Sequence, residues 1–228
     1  MSQQEGKTGR TKTVSIEGQG DLRIREDEPL SWFEELYGAS DTDGGGVPWA
    51  SMQTHPLFAA WLGTLDLEGQ GKSALVVGCG MGDDAIELEA RGFDVTAFDV
   101  SPSAIAYCKK RFPESKVEFV QADLFDPPSP WKHHFDFVLE IYTVQAVPPS
   151  YEDAAIRNIA QFVARGGELL VIAVVGSDER SFDDGPPWLL TPGHVQSFAS
   201  HGLHVAGQQI GESESGETAS YTTSFRRP

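Results

Sequence analysis

Cysteine, long apolar runs and basic residues are all scarce in this chain. Only two cysteines, Cys79 and Cys108, occur in 228 residues. Two are too few for a disulfide framework, and no CxxC spacing suggests zinc. Both fall within expected core elements, so a reducing cytoplasm is the expected compartment. No apolar run approaches the roughly 18 residues a membrane span needs. Met1 to Gly20 is polar and Gly-rich and lacks the apolar centre of a signal peptide. By composition, residues 1–28 are expected as a disordered tail and residues 29–228 as a single domain.

Lys and Arg number 17 against 34 Asp and Glu, a net charge of −17. Such a surface repels phosphate backbones unless a local basic patch intervenes. The densest cluster, Lys109-Lys110-Arg111, falls at the end of an expected helix, where it complements the helix dipole. Neither nucleic acid nor membrane is an expected partner, whereas a cationic ligand suits the charge. Metal ligands are also missing. His133 and His134 are adjacent, so a strand points them to opposite faces. His194, His201 and His204 have no nearby acid cluster, and no metal is expected.

What is present is a change of period. Leu30, Phe33 and Tyr37 repeat at helical spacing. A second helix begins near Thr54, with Leu57, Trp61 and Leu65 on one face. From Ser73, short apolar runs alternate with helices. Strands are expected at 74–77, 95–98, 117–120, 135–141 and 169–175. Helices lie between them, and Gly166-Gly167 is expected to end the one before the fifth strand. Ser101-Pro102 is a helix start, an N-cap followed by proline at the first position. A last helix around Val195, Phe198 and Ala199 precedes two strands, 203–210 and 219–226. Alternation of this kind implies an α/β, doubly wound, mostly parallel sheet, and the final pair implies an antiparallel hairpin. Such a sheet binds ligands beyond the carboxyl ends of its strands, at the switch point.

The first of these strands runs into Gly78-Cys79-Gly80-Met81-Gly82-Asp83-Asp84. Glycines allow a sharp turn and a close approach of ligand to backbone. The third glycine comes one residue earlier than in the dinucleotide G-x-G-x-x-G, and Asp83 and Asp84 would repel a pyrophosphate at the helix start. They suit an uncharged or cationic ligand, or simply complement the helix dipole. Asp99 ends the next strand and can accept hydrogen bonds from both ribose hydroxyls. Capping the following helix is the competing role, which Ser101 already fills. Asp123 follows the third strand and can accept from an adenine amino group, with Leu124 packed on the ring.

The ordered set LVVGCGMGDD, AFDVSPSAI, QADLF, FDFVLEI and GGELLVIA resembles the class I methyltransferases that use S-adenosylmethionine (SAM). The resemblance spans roughly 73–175. It implies a seven-stranded Rossmann-like sheet with an antiparallel last strand. It also implies that Gly78, Cys79, Gly80 and Gly82 line the methionine part of SAM, that Asp99 and Val100 hold the ribose, and that Asp123 and Leu124 hold the adenine. The product would be S-adenosylhomocysteine (SAH). Outside that core, Trp32-Phe33, Val47-Pro48-Trp49 before Thr54-His55-Pro56, and Gly185-Pro186-Pro187-Trp188 are similar to the thiopurine, thiol and halide methyltransferase branch. Ala50 stands where that branch usually has an acid. The likeness implies a helical lid at about 29–70, with Trp49 covering the sulfonium side. Tyr37, Tyr142, Gln145 and Trp188 are the implied acceptor contacts. Tyr142, Glu140 and His55 are the candidates for catalytic roles, and Glu140 is a candidate SAM contact as well.

Methyl transfer from a sulfonium needs alignment and exclusion of water more than it needs a strong base. With no convincing fixed base, a sulfur or nitrogen acceptor is expected ahead of an oxygen. The expected function is methylation of a small molecule by a monomer or homodimer. A macromolecular substrate, a nicotinamide oxidoreductase and a non-catalytic SAM-binding protein are the alternatives. Asp126-Pro127-Pro128-Ser129 follows the third strand and lacks the aromatic of a nucleic-acid methyltransferase motif, so a proline-rich loop is the reading there.

Overall fold

A computed structural model describes residues 9–17, 19–65, 67–176, 180–212 and 218–228. The chain begins with strands β1 (Thr11–Ile16) and β2 (Gly20–Arg25), then helices α1 (Ser31–Gly38) and α2 (Pro56–Leu62). Next come β3 (Ser73–Val77), α3 (Asp83–Ala90), β4 (Asp94–Asp99), α4 (Pro102–Arg111), β5 (Glu118–Gln121) and β6 (Phe135–Ile141). Helix α5 (Glu152–Phe162), β7 (Val163–Val175), α6 (Pro192–Ser197), β8 (His204–Glu212) and β9 (Ala219–Arg226) complete it.

The main sheet has seven strands in the order β5-β4-β3-β6-β7-β9-β8. Strands β3 to β7 pair in parallel, and β9 runs antiparallel to both β7 and β8. The order reverses between β3 and β6, so a crevice opens where Val77 and Glu140 sit side by side at the strand ends. The expected doubly wound sheet with its antiparallel last strand is what folds. Both faces are covered because the central strands are apolar on both sides: Leu75 and Val77 pack towards α5, Ala74 and Val76 towards α2 and α3.

Three local expectations need correction. Residues 9–28 do not trail as a disordered tail; β1 and β2 pair in register from Thr11↔Arg25 to Ile16↔Gly20. Alternation explains this, since Leu22 and Ile24 are buried while Asp21 and Arg23 are exposed. Residues 1–8 of the expected tail lie outside the described residues. Secondly, Gly166-Gly167 does not end a helix. Helix α5 stops at Phe162, and β7 starts at Val163 and carries both glycines in an irregularity opposite Phe135 and Phe137, with Gly166 at φ +78°. Thirdly, the buried face of α2 is Phe58, Trp61 and Leu62, while Leu65 lies beyond the helix and is exposed.

Among the described residues, no helix is long and apolar enough to cross a membrane, and no group of His, Cys, Asp or Glu could hold a metal ion.

Candidate functional site

A cavity of about 460 Å³ lies at the switch point. Its floor is the glycine turn after β3. Gly78, Gly80 and Gly82 all take positive φ (59°, 52° and 89°), which suits glycine. A Cβ on Gly78 would stand 2.7 Å from Thr143 Oγ1, and one on Gly80 2.9 Å from the Tyr37 hydroxyl. Gly82 faces the other way, against Cys108 and Phe119, so it serves the packing of α3 as well as the turn.

Asp99 sits at the tip of β4, 6% exposed and on the cavity wall. One carboxylate oxygen accepts from Gly80 N at 3.0 Å, the other from Ser101 N at 2.9 Å. The carboxylate therefore fastens the glycine turn to the start of α4 and keeps lone pairs over for a ligand. Burial pushes its pKa up to about 6, against the pull of those N–H groups. Ser101 caps α4, accepting from Ala104 N at 3.1 Å. The cap and the acid are thus separate jobs, as the sequence suggested.

The two acids at the start of α3 are both engaged within the protein. Asp83 pairs with Arg111 through two 2.8 Å bonds, and Arg111 also donates to the Met81 carbonyl. The basic end of α4 thus serves an ion pair across to α3. Asp84 accepts from His55 N at 2.8 Å, and burial raises its pKa to about 6.

Over this floor lies the N-terminal region. Glu34 of α1 accepts from Ser101 Oγ (2.6 Å), Ser103 Oγ (2.8 Å) and Ser103 N (3.2 Å), placing its charge at the positive end of α4. The Tyr107 hydroxyl is 2.9 Å from the carbonyl oxygens of both Tyr37 and Ser40. Trp49 Nε1 donates to the Tyr37 hydroxyl at 2.8 Å, leaving the indole 41% exposed at the cavity mouth. Val14 and Ile16 of β1, Met52, and Pro186 and Pro187 of the loop before α6 close the remaining side.

Most expected site residues meet here: Tyr37, Trp49, His55, Gly78, Cys79, Gly80, Gly82, Asp99, Val100, Leu124, Tyr142 and Gln145 all line the cavity. Tyr142 holds φ +59°, uncommon for a bulky residue, and its ring meets that of His55 edge-on at 5.0 Å. Burial lowers the His55 pKa and raises that of Tyr142, with the Glu140 charge adding to the latter. His55 Nδ1 is buried without a hydrogen-bond partner. Gln145 lines the wall while its side-chain oxygen accepts from Val174 N at 2.8 Å.

Three expected residues lie outside the wall. Glu140 turns inward, and its Oε1 accepts from Thr143 N (2.7 Å) and Val144 N (3.0 Å), fixing the turn after β6. Its Oε2 has no partner, and burial lifts the pKa to about 7. Asp123 is exposed and accepts from Phe125 N at 2.7 Å; its neighbours Ala122 and Leu124 line the cavity instead. Trp188 is 1% exposed, with its indole N–H donated to the Phe182 carbonyl, so the prolines before it face the cavity.

Sequence reasoning missed Val14 and Ile16. The signal was present as period-two alternation, Val14 and Ile16 before a glycine-bearing turn and Leu22 and Ile24 after it. Also missed was what holds the loop after β7. Arg180 donates to both carboxylate oxygens of Glu152, one at 2.8 Å, and to the Trp188 carbonyl, and Lys12 Nζ donates to the Phe182 carbonyl at 2.9 Å.

Residues 74–167 match the family model described as "Methyltransferase domain". Over 122 residues the chain is 34% identical to a fatty-acid O-methyltransferase of Mycolicibacterium smegmatis, covering 52% of this chain and 41% of that protein. It is 27% identical over 185 residues to a probable thiol methyltransferase 2 of Arabidopsis thaliana, covering 78% of this chain and 76% of the relative. Of its relatives, then, the chain spans about two fifths of the first and three quarters of the second. Among solved structures, one described as "Conversion of a Disulfide Bond into a Thioacetal Group during Echinomycin Biosynthesis" shares the fold at a TM-score of 0.68 and 20% identity, covering 87% of this chain and 92% of the other.

Proposed function

We propose that this chain, whose residues 74–167 match a methyltransferase domain, is a class I SAM-dependent methyltransferase that transfers a methyl group from SAM to a small-molecule acceptor. The observation that carries this reading is the buried Asp99 carboxylate at the cavity wall, already clamped to the glycine turn yet with accepting capacity left for a diol. The residues fit SAM in three further ways. Gly78 and Gly80 leave bare backbone where a Cβ would collide. The wall at Ala122 and Leu124 is apolar, as a purine face requires. No Lys or Arg lines the cavity among the described residues, so a sulfonium meets no like charge.

When bound, SAM supplies a methyl carbon activated by its sulfonium. The chain then has to bind, align and keep water out. Asp99 holds the ribose, and the glycine turn takes the amino acid end. Val100 and Leu124, which line the cavity, would flank the nucleoside. Trp49, held by Tyr37, closes the mouth over the sulfonium side. Tyr142 and His55 line the part of the cavity left for the acceptor, and burial keeps the His55 imidazole neutral. Glu140 acts as a positioning residue beneath the Thr143–Val144 turn. Two unpaired cysteines fit a reducing compartment such as the cytoplasm.

Calorimetric titration with SAM and SAH tests the cofactor assignment. A screen of thiols, phenols and N-heterocycles with methyl-labelled SAM tests the transfer. Micromolar SAH binding with product from at least one acceptor is expected. Binding without product from any of them would favour a macromolecular substrate or a SAM-binding protein without turnover.

A further inference from the structure

Resting on the reading above, we infer that the acceptor is a neutral molecule with an apolar body, such as an alkyl or benzyl thiol, seated against Val14 and Ile16 of the N-terminal hairpin. Carboxylates and inorganic anions are poor acceptors on this account.

The first argument is the character of the wall. Away from the glycine turn and Asp99, Val14, Ile16, Met52, Ile141, Pro186 and Pro187 form the apolar part of the wall, beside the uncharged polar side chains of Ser51, Gln53 and Gln145. On β1 the inward positions are Lys12, Val14 and Ile16, and the two apolar ones are only half-buried because they face the cavity. A side chain left half-exposed to a cavity gains burial when an apolar ligand arrives.

The second argument is charge. An anionic acceptor needs a counter-charge or a set of N–H donors once it leaves water. The nearby cations are committed elsewhere: Lys12 to the carbonyls of Phe182 and Asp183, Arg180 to Glu152, and Arg111 to Asp83. The charged groups that do line the cavity are Asp83, already paired with Arg111, and Asp84 and Asp99, whose carboxylates suit a bound sulfonium. Beyond the site, a net charge of −17 lowers the local concentration of any approaching anion.

Third comes the proton. A neutral thiol attacks with its S–H intact or as that proton leaves. The new S–CH₃ bond forms as the sulfonium C–S bond breaks, the departing sulfur keeps the electron pair, and the thiol proton leaves to water.

The test compares kcat/KM for benzyl mercaptan, octanoate and thiocyanate with methyl-labelled SAM, alongside SAH affinity by calorimetry. Benzyl mercaptan should be preferred at least tenfold. The double variant Val14→Ala/Ile16→Ala should raise its KM by about tenfold, the cost of a few lost methylene contacts, with SAH affinity unchanged. Ile16→Lys, which adds a cation at the wall, should narrow the gap between benzyl mercaptan and octanoate and gives a second measurement if the double variant does not fold. Preference for octanoate or thiocyanate, or an unchanged KM in a folded double variant that still binds SAH, would overturn the inference and leave the methyltransferase reading intact. Failure to bind SAH at all would overturn that reading, and the inference with it.

Discussion

On the strand-tip side of the cavity, Gly78, Gly80 and Asp99 lie within 22 residues of one another, and the Asp99 carboxylate accepts from Gly80 N at 3.0 Å and Ser101 N at 2.9 Å. On the opposite side, Val14, Ile16, Met52, Pro186 and Pro187 come from segments up to 173 residues apart and present an apolar surface to the cavity. The first side is a polar cradle whose geometry is set by backbone direction, so it suits one fixed ligand. The second is a patchwork pinned from behind by side chains that never reach the cavity, such as Arg180. Substitutions on it can reshape what enters without disturbing the cradle.

The sharpest way to break this contrast is to cut the pin. Arg180→Met leaves the Glu152 carboxylate, 2% exposed, without its ion-pair partner. Loss of one member of a buried pair costs about 3–5 kcal/mol. A large fall in the denaturation midpoint is expected, together with a higher acceptor KM and unchanged SAH affinity. An equal fall in SAH affinity would mean that the two sides are not separable.

Asp99→Ala is the mirror experiment. SAH affinity should fall by about 1–3 kcal/mol, the cost of a lost buried hydrogen-bond acceptor. Stability should fall as well, because Gly80 N and Ser101 N lose their acceptor. Calorimetry and thermal melting on the same sample separate the two effects. Unchanged affinity would remove the ribose assignment.

A smaller effect follows from pH. Asp84, Asp99 and Glu140 have folded-state pKa values of about 6, 6 and 7, all raised from 3.8, 3.8 and 4.5 by burial. Folding therefore favours their protonated forms. That stabilisation is whole below about pH 4 and is lost as pH rises through 6 and 7. Glu140→Gln removes one of these groups and should flatten the decline between pH 5 and 8 by about 1–2 kcal/mol. A denaturant series at several pH values reads this directly. SAH binding should weaken below about pH 6, where Asp99 gains its proton.

Smallest of all, Tyr37→Phe removes the acceptor for Trp49 Nε1 and should cost about 1 kcal/mol of stability. Trp49 fluorescence should report a looser indole at the mouth. Identical emission would show that its edge contacts with Trp32 and Phe33 suffice to hold it.

The polar cradle was legible before any fold was known, because its parts are local. A strand must turn sharply after Val77, only glycine takes that turn freely, and an acid at the next strand tip falls beside it by sheet geometry. Glu140 and Trp188 were harder. Both stand one or two residues from side chains that do reach the cavity, and sequence position alone does not say which way a strand end or a proline-rich loop points. The hairpin was obscured for another reason. Two strands of six residues, rich in Lys, Thr, Arg and Gly, carry too little apolar surface to announce a fold by composition. They gain it by docking Leu22 and Ile24 against α1 and the Phe182–Trp188 loop.

By itself, then, the order of residues determined the alternating sheet, the reversal between β3 and β6 and the cradle at that crevice, since each follows from periodicity, glycine conformation and right-handed crossover. Only the tertiary structure decided the shape of the opposite wall. There Val14, Met52 and Pro186 line one cavity from segments far apart in the chain, and an apolar wall carries no address that a linear sequence can spell.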